Sequence, residues 1–444
     1  MSRQIVFCQK NNDNRYGVTI ENSQIDNDMS TSIKSHVFFV GNLPHRIGIK
    51  SIFRVFGGPV IESPEKYEFL CSYFHKSHID AMIEARGQKR PRFLDAVHHY
   101  CLEINKTLPL SLYDPKSSRL DVLDGYKMNL KGLHVYCFPL GITLFAIEIE
   151  DSGSSLDDLT LAHLRIRELP ARWDELSEGF RDALKPIREL VPNNNIRDLV
   201  SRGNKLKIFQ IILVKSGDWT DKHLYEIATS SRIDIVGTSD VLAPSDDYYY
   251  SMIKENTIAP FKNWRAMSLM DSFTALIKNE GDFDEEKEKE WSGDEIRWIN
   301  SYYRLIYLRV LVQKTFLSSR NDQYRLNLSN AHLMRDLTRM EQYYFYDNIS
   351  YNFLPDMLNR QMEKGMGINE EREELSTQIK ESENKNANTI AGIVSAFAVF
   401  SIAYDFYGIL KAITDNNSKI MPFAICIMAT LSVFFLVFYL YRRR

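Results

Sequence analysis

Ile420-Met-Pro-Phe-Ala-Ile-Cys-Ile-Met-Ala-Thr-Leu-Ser-Val-Phe-Phe-Leu-Val-Phe-Tyr-Leu-Tyr441 contains no charged side chain and is closed by Arg442, Arg443 and Arg444. As a helix it would rise about 33 Å, which matches the roughly 30 Å hydrocarbon thickness of a bilayer. Thr389 to Leu410, just upstream, is a second apolar stretch interrupted by one ionisable residue, Asp405. The joint from Lys411 to Lys419 contains Asp415-Asn-Asn-Ser418, a turn composition. The pair predicts a helical hairpin across a membrane. The three terminal arginines set the cytoplasmic side, so both termini are expected there, in a multi-pass protein of the inner (plasma) membrane.

Read at a helical period near 3.5, the first stretch has two faces. Ala391, Val394, Ala398, Ser401, Asp405 and Gly408 share one side; Ile393, Phe397, Phe400, Tyr404 and Tyr407 share the other. Small residues permit close helix packing in lipid, and an ionisable group there turns toward protein or water.

Composition reinforces the split between body and tail. From Thr389 onward there are seven charged residues, whereas the first 388 hold 50 basic and 56 acidic side chains. The body is thus an ordinary folded protein with an acidic balance, which argues against general nucleic-acid binding. The five cysteines, Cys8, Cys71, Cys101, Cys137 and Cys426, lack CxxC spacing, so reduced thiols are expected rather than a disulfide framework.

The body reads as α/β. Strand patterns fall at Gln4–Cys8, Gly17–Ile20, His36–Val40, Glu68–Cys71, Leu133–Phe138, Ile142–Ile149 and Ile208–Val214. Helices are expected from Ser155, over Asp174–Leu190 and over Trp264–Lys278. The charged run Glu280–Glu290 reads as an exposed connection, and Ile296–Leu317 and Asn327–Asp347 as amphipathic helices. Beyond Pro355 a polar segment rich in helix formers predicts one continuous helix from about Asp356 to Leu410, with pairs such as Glu374 and Gln378. The expected fold is therefore an α/β cytosolic domain (1–280), a helical section (281–355), a stalk helix (356–388), two transmembrane helices (389–410 and 420–441) around an outer loop (411–419), and a basic tail (442–444).

Catalytic signatures are missing: no GxxxxGK[ST] loop, no HExxH, no GxSxG turn. His75 with His78, and His98 with His99, lack a ligand-spaced third group for a metal. Arg86, Lys89, Arg90 and Arg92 form a basic cluster that could hold an anionic ligand such as a nucleotide phosphate. These absences predict a protein that is not an enzyme.

The order of parts resembles the CorA family of divalent-cation channels. Tyr407-Gly408-Ile409-Leu410 stands where that family carries Tyr-Gly-Met-Asn; Met421-Pro422 resembles its Met-Pro after the outer loop, and Arg442 to Arg444 its basic tail. The resemblance implies a homopentamer in the lipid bilayer, with the small-residue face from Ala391 to Gly408 lining a pore. The signature is degraded, because Leu410 offers no polar group to a hydrated cation. Divergent CorA-like proteins include membrane effectors of type III CRISPR antiviral defence, and likeness to that branch implies a channel gated by a nucleotide second messenger. Two alternatives stay open: a divalent-cation (magnesium) transporter, and a membrane-anchored, non-conducting scaffold.

Overall fold

The computed structural model describes residues 33–43, 47–86, 97–109, 127–152, 155–167, 178–191, 205–214, 219–230, 244–278, 302–325, 330–345 and 348–413. Eight strands form one mixed sheet: β1 (Ile33–Leu43), β2 (His98–Pro109), β3 (Lys127–Cys137), β4 (Thr143–Ser152), β5 (Lys207–Val214), β6 (Thr257–Phe261), β7 (Trp264–Leu269) and β8 (Ser272–Lys278). Their order is β2-β3-β4-β1-β5-β8-β7-β6, antiparallel throughout except for the β5–β8 pair. The central strand β5, Lys-Ile-Phe-Gln-Ile-Ile-Leu-Val, is buried along nearly its whole length. A continuous apolar run is what a strand covered on both faces requires.

Helices supply that cover. On one face lie α1 (Ile49–Phe56), α4 (Leu156–Arg167), α5 (Glu178–Leu190), α6 (Asp221–Thr229) and α7 (Asp246–Asn256), packed on Val37, Phe39, Val135, Ile147, Ile212 and Leu276. The opposite face, with Phe38, Tyr136, Phe209 and Phe273, carries α2 (Pro64–Tyr73), α3 (Lys76–Met82), α8 (Arg304–Arg325), α9 (Asn330–Tyr343), α10 (Phe353–Gly365) and the start of α11 (Ile368–Ile413). Alternation along β1 sends Phe38 and Val40 to one layer and Val37 and Phe39 to the other.

Among the described residues no helix is long and apolar enough to cross a membrane, which overturns the expectation of two C-terminal transmembrane helices. The start of α11 packs into the body, with Ile368, Leu375 and Ile379 fully buried in the helical layer. The stretch 420–441 and the tail 442–444 lie outside the described residues.

The single helix expected from Asp356 is also two. Gly367 adopts φ +65, the left-handed region that caps a helix C-terminus, and its N–H bonds Lys364 O at 3.0 Å. Pro355 sits in the first turn of α10, after the break that follows α9, where its missing N–H costs nothing. Gly365 lies so close to β7 that a Cβ there would meet Ser268 O at 2.3 Å. Gly365→Ala is therefore expected to cost about 1–3 kcal/mol, read as a lowered melting temperature of the full chain.

Two further expectations fail. Glu68–Cys71 is helical, inside α2, which begins with Pro64 after Ser63 accepts the Lys66 N–H at 3.2 Å. Trp264–Lys278 is not a helix but the β7–β8 hairpin, turning at Met270-Asp271. The expected strands Gln4–Cys8 and Gly17–Ile20 and the connection Glu280–Glu290 lie outside the described residues.

Candidate functional site

Four adjacent strands each place one polar side chain on the sheet face that meets the helical layer: His99 from β2, His134 from β3, Glu148 from β4 and His36 from β1. Glu148 Oε1 is 2.7 Å from His36 Nε2, and Oε2 is 2.8 Å from His134 Nε2. His134 Nδ1 is 3.0 Å from His99 Nε2. An ionised carboxylate only accepts, so both Nε2 atoms donate to it; His134 Nδ1 is then an acceptor, and His99 Nε2–H donates to it. The result is an oriented relay running His99 to His134 to Glu148.

Register explains the assembly. Glu148 stands opposite Gly132 at an irregularity in the β3–β4 ladder. A Cβ at Gly132 would sit 3.1 Å from Leu102 O, a tight approach to backbone, and in ordinary contact at 3.7 Å with Glu148 Oε2 and His134 Nε2, so the glycine lets β2 and β3 lie close beside the carboxylate. His99 stacks on Tyr136 at 4.5 Å, and His36 on Phe38 at 5.2 Å.

Burial dominates the electrostatics. It holds His99 well below the usual imidazole range, with the neighbouring His134 adding to the effect. His134 is also lowered by burial, against the pull of Glu148. Burial works to raise Glu148, yet the hydrogen bonds from His134 and His36 overcome it and keep the carboxyl below its ordinary value. Cys101, opposite His134 in the β2–β3 register, is pushed up to about 11 by burial, so its thiol stays protonated and is a poor nucleophile. No group of three or more His, Cys, Asp or Glu among the described residues could hold a metal ion.

Beside the relay lies a cavity of about 20 Å³ lined by His99, Tyr136, Lys66, Glu62, Glu84 and Arg304, with an apolar wall that includes Phe138 and Leu308. Arg304 opens α8, and its guanidinium stacks over Phe38 at 5.2 Å. From there α8 runs to the base of α11. Arg309, fully buried, donates to Glu363 Oε1 at 2.8 Å and to Asn359 of α10. Lys314 Nζ donates to Met366 O at 2.8 Å and to Glu371 Oε1 at 2.7 Å, clasping the α10–α11 junction. One helix thus touches both the cavity and the root of α11.

The sequence-derived candidates do not gather here. Arg86 is exposed at the end of the described stretch after α3, its N–H bonded to Glu62 O at 3.1 Å; Lys89, Arg90 and Arg92 lie outside the described residues. Ala391, Val394, Ala398 and Ser401 follow one strip of α11 and are all exposed, as are Phe397 and Tyr404 of the contrasting strip. α11 also passes through Asp405, Gly408, Ile409 and Leu410, whose side chains are outside the described set, and through the half-buried Tyr407. Gln378 Nε2 does donate to Glu374 Oε1 at 2.8 Å, the pair expected on the stalk.

No family model matches the chain, and no curated protein matches it. The likeness to CorA channels therefore rests on the residues quoted for it.

Proposed function

We propose that the chain is an effector that acts at a lipid bilayer, with its α/β body controlling the helix α11. One observation carries this reading: α11 is rooted in the core at Ile368, Leu375 and Ile379, then emerges with large apolar side chains in the open. Ile390, Phe397 and Val399 are 60%, 60% and 64% exposed. Ile390 and Val399 lie on opposite sides of the helix, so no single partner groove would cover both. A helix apolar on all sides belongs in protein or in lipid. The charge-free sequence 420–441 that follows, closed by Arg442 to Arg444, favours lipid, since terminal basic residues complement anionic headgroups.

Assembly into a homo-oligomeric channel-like effector, with an anionic signal acting on the body, is the fuller form of the proposal. The α8 contacts support such control, because a ligand that favours one position of α8 also favours one position of the α10–α11 junction.

Flotation of the full chain with phosphatidylethanolamine–phosphatidylglycerol vesicles tests it. The wild type is expected to float with the vesicles and release an entrapped dye, and Phe397→Lys with Val399→Lys is expected to reduce flotation at least tenfold. Magnesium uptake without dye release would instead favour the transporter, and flotation without any flux the scaffold. A full chain that stays with the aqueous fraction, soluble without detergent, overturns the membrane reading.

A further inference from the structure

The cavity at the start of α8 has features that the membrane reading does not use. Tyr136 is 3% exposed, lines the cavity, and its hydroxyl has no hydrogen-bond partner among the described residues. Arg304 is 8% exposed, also lines it, and its Nε has no partner among them either. Buried polar atoms are normally satisfied, and a buried guanidinium without a carboxylate is costly. The carboxylates nearby are engaged elsewhere: Glu62 with Lys66 at 2.8 Å, Glu84 with His98 at 3.2 Å, and Glu148 with His36 and His134. Leu305 and Leu308 bring α8 to the same cavity.

We propose that this cavity binds one small anion of halide size, chloride being the natural candidate, held by the Arg304 guanidinium and the Tyr136 hydroxyl. Size selects the class. About 20 Å³ suits an occupant on the scale of a water or a halide and leaves no room for a nucleotide. The apolar wall of Val97, Phe138 and Leu308 suits a weakly hydrated monovalent ion better than a multiply charged one. The bound charge would neutralise Arg304 and fix the start of the helix whose far side clasps α11.

The test uses the full chain and bromide as the probe. Crystals soaked in sodium bromide are expected to show an anomalous peak between Arg304 and Tyr136. Melting in sodium chloride is expected to exceed melting in sodium gluconate of equal ionic strength by about 3–5 °C. Tyr136→Phe removes one donor with little change of shape and is expected to weaken halide binding roughly tenfold. Arg304→Met is expected to abolish the chloride effect; should that variant fail to fold, Tyr136→Phe carries the comparison. An ordered water with no bromide signal, or a chloride effect undiminished in Tyr136→Phe, overturns the proposal.

Discussion

Glu363→Ala is expected to destabilise the chain by about 3–5 kcal/mol, because it strips a fully buried guanidinium of its carboxylate. Arg309 sits in the second turn of α8 with 0% of its side chain exposed, and Glu363 of α10 is only 14% exposed. Glu363 Oε1 also accepts from Gln313 Nε2 at 3.2 Å, so one carboxylate oxygen satisfies two residues of α8. Removing both charges should be milder than removing one. Arg309→Met combined with Glu363→Leu replaces the pair by apolar groups and is expected to recover most of the loss. Urea denaturation of wild type, Glu363→Ala, Arg309→Met, Glu363→Leu and the Arg309→Met/Glu363→Leu double variant measures this, and the cycle of the last three with wild type isolates the pair. A Glu363→Ala cost of about 1 kcal/mol or less, the scale of a surface ion pair, would mean that the pair does not bind α10 to α8. The control route from body to α11 would then lose its strongest link.

The sequence made some elements legible for plain reasons. α8 and α9 show apolar residues at three- and four-residue steps, and β1, β3 and β5 are dense in Val, Ile, Phe and Tyr, so period and propensity agree there. Trp264–Lys278 misleads because Ala, Leu and Met favour helices in isolation, whereas pairing with β5 and β6 on either side imposes strands. The break at Gly367 hangs on a single residue with positive φ within a run of helix formers. The relay was invisible for a topological reason. His99, His134 and Glu148 meet through the register of the consecutive strands β2, β3 and β4, and His36 joins them because β1 inserts beside β4; neither the register nor that order is disclosed locally. Their one visible trace is the placing of polar groups at alternate positions, His36 before Phe38 and His134 before Tyr136, on strands otherwise apolar on that face.

Stability is expected to fall steeply as pH drops from about 6.5 toward 3, and buried histidines are the cause. His163 of α4 is buried against Phe39 of β1, with ring centroids 5.4 Å apart. Burial, helped by Arg167 one turn along the same helix and opposed by the Gln210 side chain, lowers it to about 3. A histidine whose folded value lies below its unfolded value of about 6.5 stabilises the fold fully above 6.5 and ceases to do so as pH falls through its folded value. For His163 the difference corresponds to roughly 4–5 kcal/mol, on the order of the whole stability of a modest domain. His78 and His99 are lowered in the same way by burial and act in the same direction. Glu148, held below its ordinary value, likewise contributes above the usual carboxyl range and loses that contribution in acid. The check is the urea midpoint of the full chain between pH 7 and 4, alongside His163→Leu. The variant sheds one proton-uptake site, so its stability should change less steeply by about 1.4 kcal/mol per pH unit in that window. Equal slopes for variant and wild type would mean that His163 takes up its proton without unfolding the layer between α4 and β1, and that this face of the sheet is open to water.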